Sequence, residues 1–292
     1  MQAAFIAAVF ITVGCGGQAS PNPVAVHPSP SPSPTRIGSL MFGGLQRVYV
    51  LFRPSQLSTG TPVPLVIAMH GFTVDTTWME QTSRFDDLAT QSGFVVVYPQ
   101  GTGDSWNAGR CCGHNTNDDV GFVKALIDKL VGEQNIDPKR VFVTGMSNGA
   151  FMAQRLACEA ADRITAAASV SGSLVIDTCT PSRAISVIEM HGLDDDLVPI
   201  NGGQVAGLTF FSPTMANMQG WANRDGCTAK PTTTNDGTTT TYTWSACRDH
   251  ASVVLKTIAG AGHSWFSPSD GPGIPDATQV VWDFFSQAPP LP

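Results

Sequence analysis

Three stretches of the chain are apolar at nearly every position: VPLVIAMH from Val63, GFVVVYP from Gly93 and RVFVTG from Arg140. Strands with one wet face alternate apolar and polar residues, so runs without alternation predict strands covered on both sides. Between and after them apolar residues recur at helical spacing. The pattern predicts a strand at 65–69, a helix near 83–92, a strand at 94–98, a helix near 119–131, a strand at 141–144 and a helix after residue 147. It continues with strands at 166–170 and 185–190, a helix near 213–224, a strand at 253–258 and a last helix near 278–286. Such alternation is the signature of the α/β class, a mostly parallel sheet with helices on both faces. Two strand-like runs, 39–42 and 46–52, precede it around Gly43-Gly44 and predict a hairpin.

The first 37 residues follow neither period. Residues 1–15 form an apolar run, too short for a bilayer span of about 20 residues, and read as an export signal. Thr12-Val13-Gly14-Cys15 resembles a bacterial lipobox, which implies cleavage before Cys15 and lipid on its sulfur, although Thr12 stands where Leu is usual and no Lys or Arg precedes the run. A plain signal peptide, or a start codon placed too late, is the alternative. Residues 16–37 are a Pro/Ser tract with nothing to bury and read as a tether, leaving residues 38–292 as one folded domain. The chain of 292 residues is 42% hydrophobic and 13% charged, enough for one large core. Its net charge is -7, with no cluster of Lys or Arg, which excludes a nucleic-acid partner and leaves the membrane reachable only through the lipid.

Of seven cysteines, six remain after Cys15: Cys111, Cys112, Cys158, Cys179, Cys227 and Cys247. An even set in an exported chain predicts three disulfides. Cys227 and Cys247 flank a Thr-rich stretch whose Asn235-Asp236-Gly237 marks a hairpin that brings them together; the pairing of the other four stays open. Adjacent Cys111 and Cys112 with His114 lack the second spaced pair of a tetrahedral metal site, so no metal or organic cofactor is expected.

The chemistry enters at Gly145-Met146-Ser147-Asn148-Gly149, between the strand Val141, Phe142, Val143 and a helix with Ala150, Phe151, Ala153, Leu156 and Ala157 on one face. That is the layout of a nucleophile elbow, which thrusts Ser147 out above the sheet. A serine hydroxyl needs a general base and the base an orienting acid, arriving in the order Ser, acid, His. His27 lies in the tether, His70 precedes the serine, His191 ends a strand, and His114 and His250 sit in polar loops. His263, in the Gly-rich AGAGHSW, remains as base. The acid falls in HGLDDDLVP, where Asp194, Asp195 and Asp196 compete. The oxyanion needs two N–H donors, read as Asn148, directly after the serine, and Phe72, in the turn His70-Gly71-Phe72. Asp118 and Asp119 read as helix caps. Trp106 and Trp265, on loops at the same end of the sheet, read as aromatic walls for substrate or as packing residues.

HGF, YPQG, SWNAGRCCG, DDVGFVKALID, RVFVTGMSNGAFMAQRLACE, HGLDDDLVP and GAGHSW, in this order, resemble the esterase family of polyhydroxybutyrate depolymerases, feruloyl esterases and related acetylxylan esterases, over about residues 40–285. The resemblance implies an α/β-hydrolase fold and places Ser147, Asp195 and His263 in the triad, the aspartate through the spacing H-G-x-x-D-x-x-V-P. Phe266-Ser267 stands where the family often has Pro-Gly. The expectation is an exported serine carboxylic-ester hydrolase, extracellular or held at the cell envelope, working through an acyl-enzyme on feruloyl, acetyl-xylan or hydroxyalkanoate esters. The short stretch after the last helix tilts the substrate toward soluble or plant-wall esters. Two alternatives are a non-catalytic binding lipoprotein on the same scaffold and a serine peptidase.

Overall fold

The computed structural model describes residues 35–205 and 209–292 of the chain. The export segment 1–15, Cys15 and most of the Pro/Ser tract lie outside them.

The hairpin pairs β1 (Thr35–Phe42) with β2 (Leu45–Phe52) around Gly43-Gly44. Thr35, Arg36 and Ile37, assigned from composition to the tether, pair with Phe52, Leu51 and Val50. The tether's boundary therefore moves back, because the partner strand supplies hydrogen bonds that composition does not reveal. The remaining elements are β3 (Val63–Met69), α1 (Thr76–Ser83), α2 (Phe85–Ser92), β4 (Val95–Pro99), α3 (Asp119–Gln134), β5 (Ile136–Met146), α4 (Asn148–Glu159), β6 (Ala166–Val170) and β7 (Ser186–Gly192). They continue with β8 (Gly203–Gln204), β9 (Phe210–Phe211), α5 (Thr214–Arg224), β10 (Thr232–Asn235), β11 (Thr239–Trp244), β12 (Val253–Ile258) and α6 (Ala277–Gln287).

The helix expected near 83–92 is α2, and a second, unexpected helix, α1, directly precedes it. Arg84, left-handed with φ 53°, closes α1 through its N–H to the Glu80 carbonyl and opens α2. Because α1 buries only Met79 and Ser83, it leaves too sparse an apolar stripe to read.

Ten strands form one sheet in the order β1-β2-β4-β3-β5-β6-β7-β12-β11-β10, and the central run from β4 to β12 is parallel. Each parallel strand is covered twice. On β3, Leu65, Ile67 and Met69 face the layer of α3, α4 and α5, whereas Val66 and Ala68 face that of α1, α2 and α6. This is the α/β-hydrolase arrangement read from the sequence. After β3 the chain steps to β4 on one side and then to β5 on the other, and ligand sites of such sheets lie at the carboxyl ends where the winding reverses.

Three disulfides tie the described residues: Cys227 to Cys247, as predicted, Cys158 to Cys179, and the neighbours Cys111 and Cys112 to each other. Cys227–Cys247 closes the Thr-rich hairpin of β10 and β11. Among the described residues no helix is long and apolar enough to cross a membrane.

Candidate active site

Ser147 sits between β5 and α4 with φ 55° and ψ -120°, a conformation that L residues avoid and that stores about 1–3 kcal/mol of strain. Its N–H donates to the Val170 carbonyl at 3.0 Å and its own carbonyl accepts from Phe151 N–H at 2.9 Å. Two glycines make the turn possible by close approach. A Cβ on Gly149 would meet the Met69 carbonyl oxygen at 2.2 Å, and one on Gly145 would meet Gly149 at 2.5 Å. A serine in the N-cap position ordinarily caps its helix, yet the Ser147 side chain makes no capping bond. Its hydroxyl is left for the cavity above.

His263, on the loop after β12, lines that cavity with Ser147. Its Nδ1 lies 2.8 Å from Asp195 Oδ2, across 68 residues of sequence. Asp195 is buried, and its other oxygen accepts from Leu197 and Val198 N–H at 3.0 and 2.8 Å. Asp194 and Asp196 are exposed. Of three adjacent carboxylates, then, one faces the imidazole.

The two oxyanion candidates flank the serine. Asn148 opens α4, so its N–H has no intrahelical acceptor, and its side chain grips the Trp106 backbone, accepting from N–H at 2.6 Å and donating to C=O at 3.2 Å. Phe72 lines the cavity, one residue after Gly71, where an added Cβ would sit 3.6 Å from the Ser147 Cβ. Buried His70 orients this turn. Its Nε2 accepts from Gly101 N–H at 2.9 Å, so the proton is on Nδ1, which donates to the Gly71 carbonyl at 2.7 Å. Burial lowers its pKa and keeps it neutral. In a trans peptide N–H and C=O point in opposite directions, so the Phe72 N–H is aimed away from His70.

Trp106 and Trp265 do not line the cavity. Trp106 is fully buried and donates Nε1–H to the His70 carbonyl at 3.0 Å, which makes it a brace beneath the turn. Trp265 is buried beneath α6, donating to Thr278 Oγ1 at 2.9 Å and meeting the edge of Phe85. Both readings as substrate walls are corrected: each indole N–H finds its acceptor inside the protein, which draws the ring inward. Asp118 caps α3 as expected by accepting from Gly121 N–H, but Asp119 is instead the buried partner of Arg47 at 2.7 Å.

The walls are supplied by residues that sequence reasoning missed. A cavity of about 330 Å³ is lined by Trp78, Phe151, Leu197, Phe211 and the bonded pair Cys111–Cys112. Phe151 was visible as a core position of the helix after the serine; Trp78 and Phe211 gave no signal of their own. Glu189 and His191, two polar residues in the otherwise apolar run IEMHG, lie fully buried behind Asp195. That interruption was the signal for them.

Comparison with known proteins fits this geometry. The model of the family described as "Esterase PHB depolymerase" matches residues 48–212. Feruloyl esterase B of Piromyces equi is 30% identical over 256 residues, covering 83% of this chain and 45% of that protein. A bifunctional acetylxylan esterase/xylanase of Neocallimastix patriciarum is 30% identical over 253 residues, covering 84% of this chain and 34% of the other. The chain thus spans less than half the length of these two relatives. Among solved structures, acetyl xylan esterase from Aspergillus awamori superposes with a TM-score of 0.64 at 17% identity, over 86% of this chain and 99% of that one.

Proposed function

The chain belongs to the esterase PHB depolymerase family, and from that premise we propose that it is an exported serine hydrolase of carboxylic esters. The observation that carries this reading is the meeting of Ser147 and His263 in one cavity, with buried Asp195 bonded to the imidazole from behind. In the mechanism, Asp195 accepts a hydrogen bond from the Nδ1–H of His263, which leaves Nε2 free to take the serine proton as Ser147 attacks the ester carbonyl. The N–H groups of Asn148 and Phe72 receive the oxyanion. The imidazolium returns its proton to the departing alcohol, and water repeats the sequence on the acyl-enzyme.

The cavity supports an aromatic or other bulky acyl group of the feruloyl or hydroxyalkanoate kind, because its apolar walls enclose far more space than an acetyl group fills. A second, polar cleft shares Phe72 with it and is lined by Thr102, Ser105, His114, Asn115 and Thr116, which suits a hydroxylated alcohol portion such as a sugar. Export is supported by the three disulfides, which persist in oxidising compartments. Lipid attachment at Cys15 rests on the sequence pattern alone.

The test is hydrolysis of methyl ferulate, acetylated xylan, p-nitrophenyl acetate and polyhydroxybutyrate film, with Ser147→Ala as control. Turnover of methyl ferulate that disappears in the variant is expected. Hydrolysis of none of the four, or turnover undiminished in the variant, overturns the proposal.

A further inference from the structure

Glu189 and His191 occupy alternate positions of β7, so both side chains leave the same face of the sheet, and both are fully buried. Glu189 Oε1 accepts from Gly172 N–H at 2.8 Å and lies 2.9 Å from His191 Nδ1, while Oε2 accepts from Gln154 Nε2 at 3.2 Å. The Gln154 carbonyl oxygen accepts in turn from Asn217 Nδ2 and Trp221 Nε1, which fixes the orientation of its amide. On the far side of the ring, His191 Nε2 lies 2.7 Å from the Val198 carbonyl. A carbonyl can only accept, so Nε2 carries a proton, and a second proton is shared between Nδ1 and Glu189, whose carboxyl is itself pushed up by burial. Burial alone pulls the His191 pKa down, but the hydrogen bond and charge of Glu189, the Val198 carbonyl and the charge of Asp195 outweigh it and raise the value.

The consequence reaches the acid. Val198 is held at its carbonyl by His191, while its N–H and that of Leu197 hold Asp195 Oδ1 and leave Oδ2 facing His263. His191 Nε2 itself comes within 3.5 Å of the same Oδ2. The geometry points to Glu189 and His191 as a positioning pair for the catalytic acid: Glu189 anchors Nδ1 so that the Nε2–H of His191 meets the Val198 carbonyl, and His191 pins the Leu197–Val198 backbone that aims Asp195 at His263. The inference rests on the triad reading proposed above.

Glu189→Gln probes it with little change of volume. Gly172 N–H selects the oxygen of the new amide on its side, and that oxygen can only accept and brings no proton to share with Nδ1. A neutral His191 that donates Nδ1–H to this oxygen has no proton left for the Val198 carbonyl. The experiment is a double-mutant cycle with Asp195→Asn, reading kcat and KM on p-nitrophenyl acetate. Glu189→Gln is expected to lower kcat by about 10- to 100-fold with KM within about threefold, and the double variant to stay within about threefold of Asp195→Asn alone. A residue that merely stabilised the fold would not lose its effect when Asp195 is removed. Wild-type kcat in Glu189→Gln, or losses that multiply in the double variant, overturn the pair. If Asp195→Asn alone retains wild-type kcat, the triad reading fails instead. Should Glu189→Gln not fold, the same cycle on His191→Gln is expected to show the same non-additivity, and multiplied losses there also overturn the inference.

Discussion

The two faces of the central sheet are built from the same strands and differ in what they bury. Under α1, α2 and α6 the layer is mainly aromatic: Phe94 stacks on Trp282 at 4.1 Å between centroids, and Phe142 on Phe285 at 4.7 Å. Under α3, α4 and α5 the layer is mixed, because β7 sends Glu189 and His191 into it while Ile188 and Met190 go to the other side. Buried polar groups are tolerable only when every member finds a partner, and here Gln154, Gly172, Val198 and Asp195 supply them. One face is thus spent on cohesion, whereas the other accepts buried charge where it supports the end of the sheet carrying Ser147.

The comparison breaks most visibly at the site. Ser147→Ala and His263→Ala are each expected to cut ester turnover by at least about a thousandfold with the circular dichroism spectrum unchanged, since nucleophile and base act as a unit; near-normal activity in either contradicts the triad. Next comes the acidic turn. Asp195→Asn is expected to lower kcat by about a hundred- to ten-thousandfold, and Asp194→Asn and Asp196→Asn to remain within about tenfold of wild type, because only Asp195 is buried against His263. A large loss in Asp194→Asn or Asp196→Asn with a small one in Asp195→Asn reverses the assignment.

The aromatic face is expected to respond the other way. Phe285→Ala removes the ring stacked on Phe142 and is expected to cost about 3–5 kcal/mol in urea unfolding while kcat stays within about threefold of wild type. A catalytic loss without a stability loss sinks the division of labour between the faces. The smallest effect concerns pH. Burial pushes the Asp225 carboxyl up from 3.8 to about 7, against the pull of Ile185 N–H on its Oδ1, and Oδ2 has no partner among the described residues. A carboxyl whose folded value is raised takes up a proton on folding. Its contribution is therefore fully present below 3.8 and is lost as pH rises through about 7. Asp225→Asn, neutral throughout, is expected to lose fewer degrees of Tm than wild type between pH 5 and 8; equal losses contradict the raised value.

What the sequence made legible follows from how local the signal is. The parallel strands announced themselves because burial on both faces removes alternation from their sequences, and the elbow did because Gly145 and Gly149 lie two residues either side of Ser147. Trp106 and Trp265 misled because an aromatic residue on a loop reads alike whether its N–H faces a ligand or an internal carbonyl; only the folded chain brings His70 and Thr278 to them. The cystines were legible where a hairpin lay between the partners, as at Cys227 and Cys247, but Cys158–Cys179 depends on how α4 packs against a distant loop. Glu189 and His191 broke an apolar strand in plain view, yet what they hold, Val198 and Asp195, becomes visible only once the loop folds back over β7.

In the proposed reaction Ser147 forms the covalent bond to the acyl group. Labelling the purified protein with a fluorophosphonate and locating the adduct by peptide mass spectrometry addresses it directly. One adduct is expected, on the peptide containing Ser147, abolished in Ser147→Ala and strongly slowed in His263→Ala. An adduct on another residue, or labelling that persists in Ser147→Ala, would contradict it.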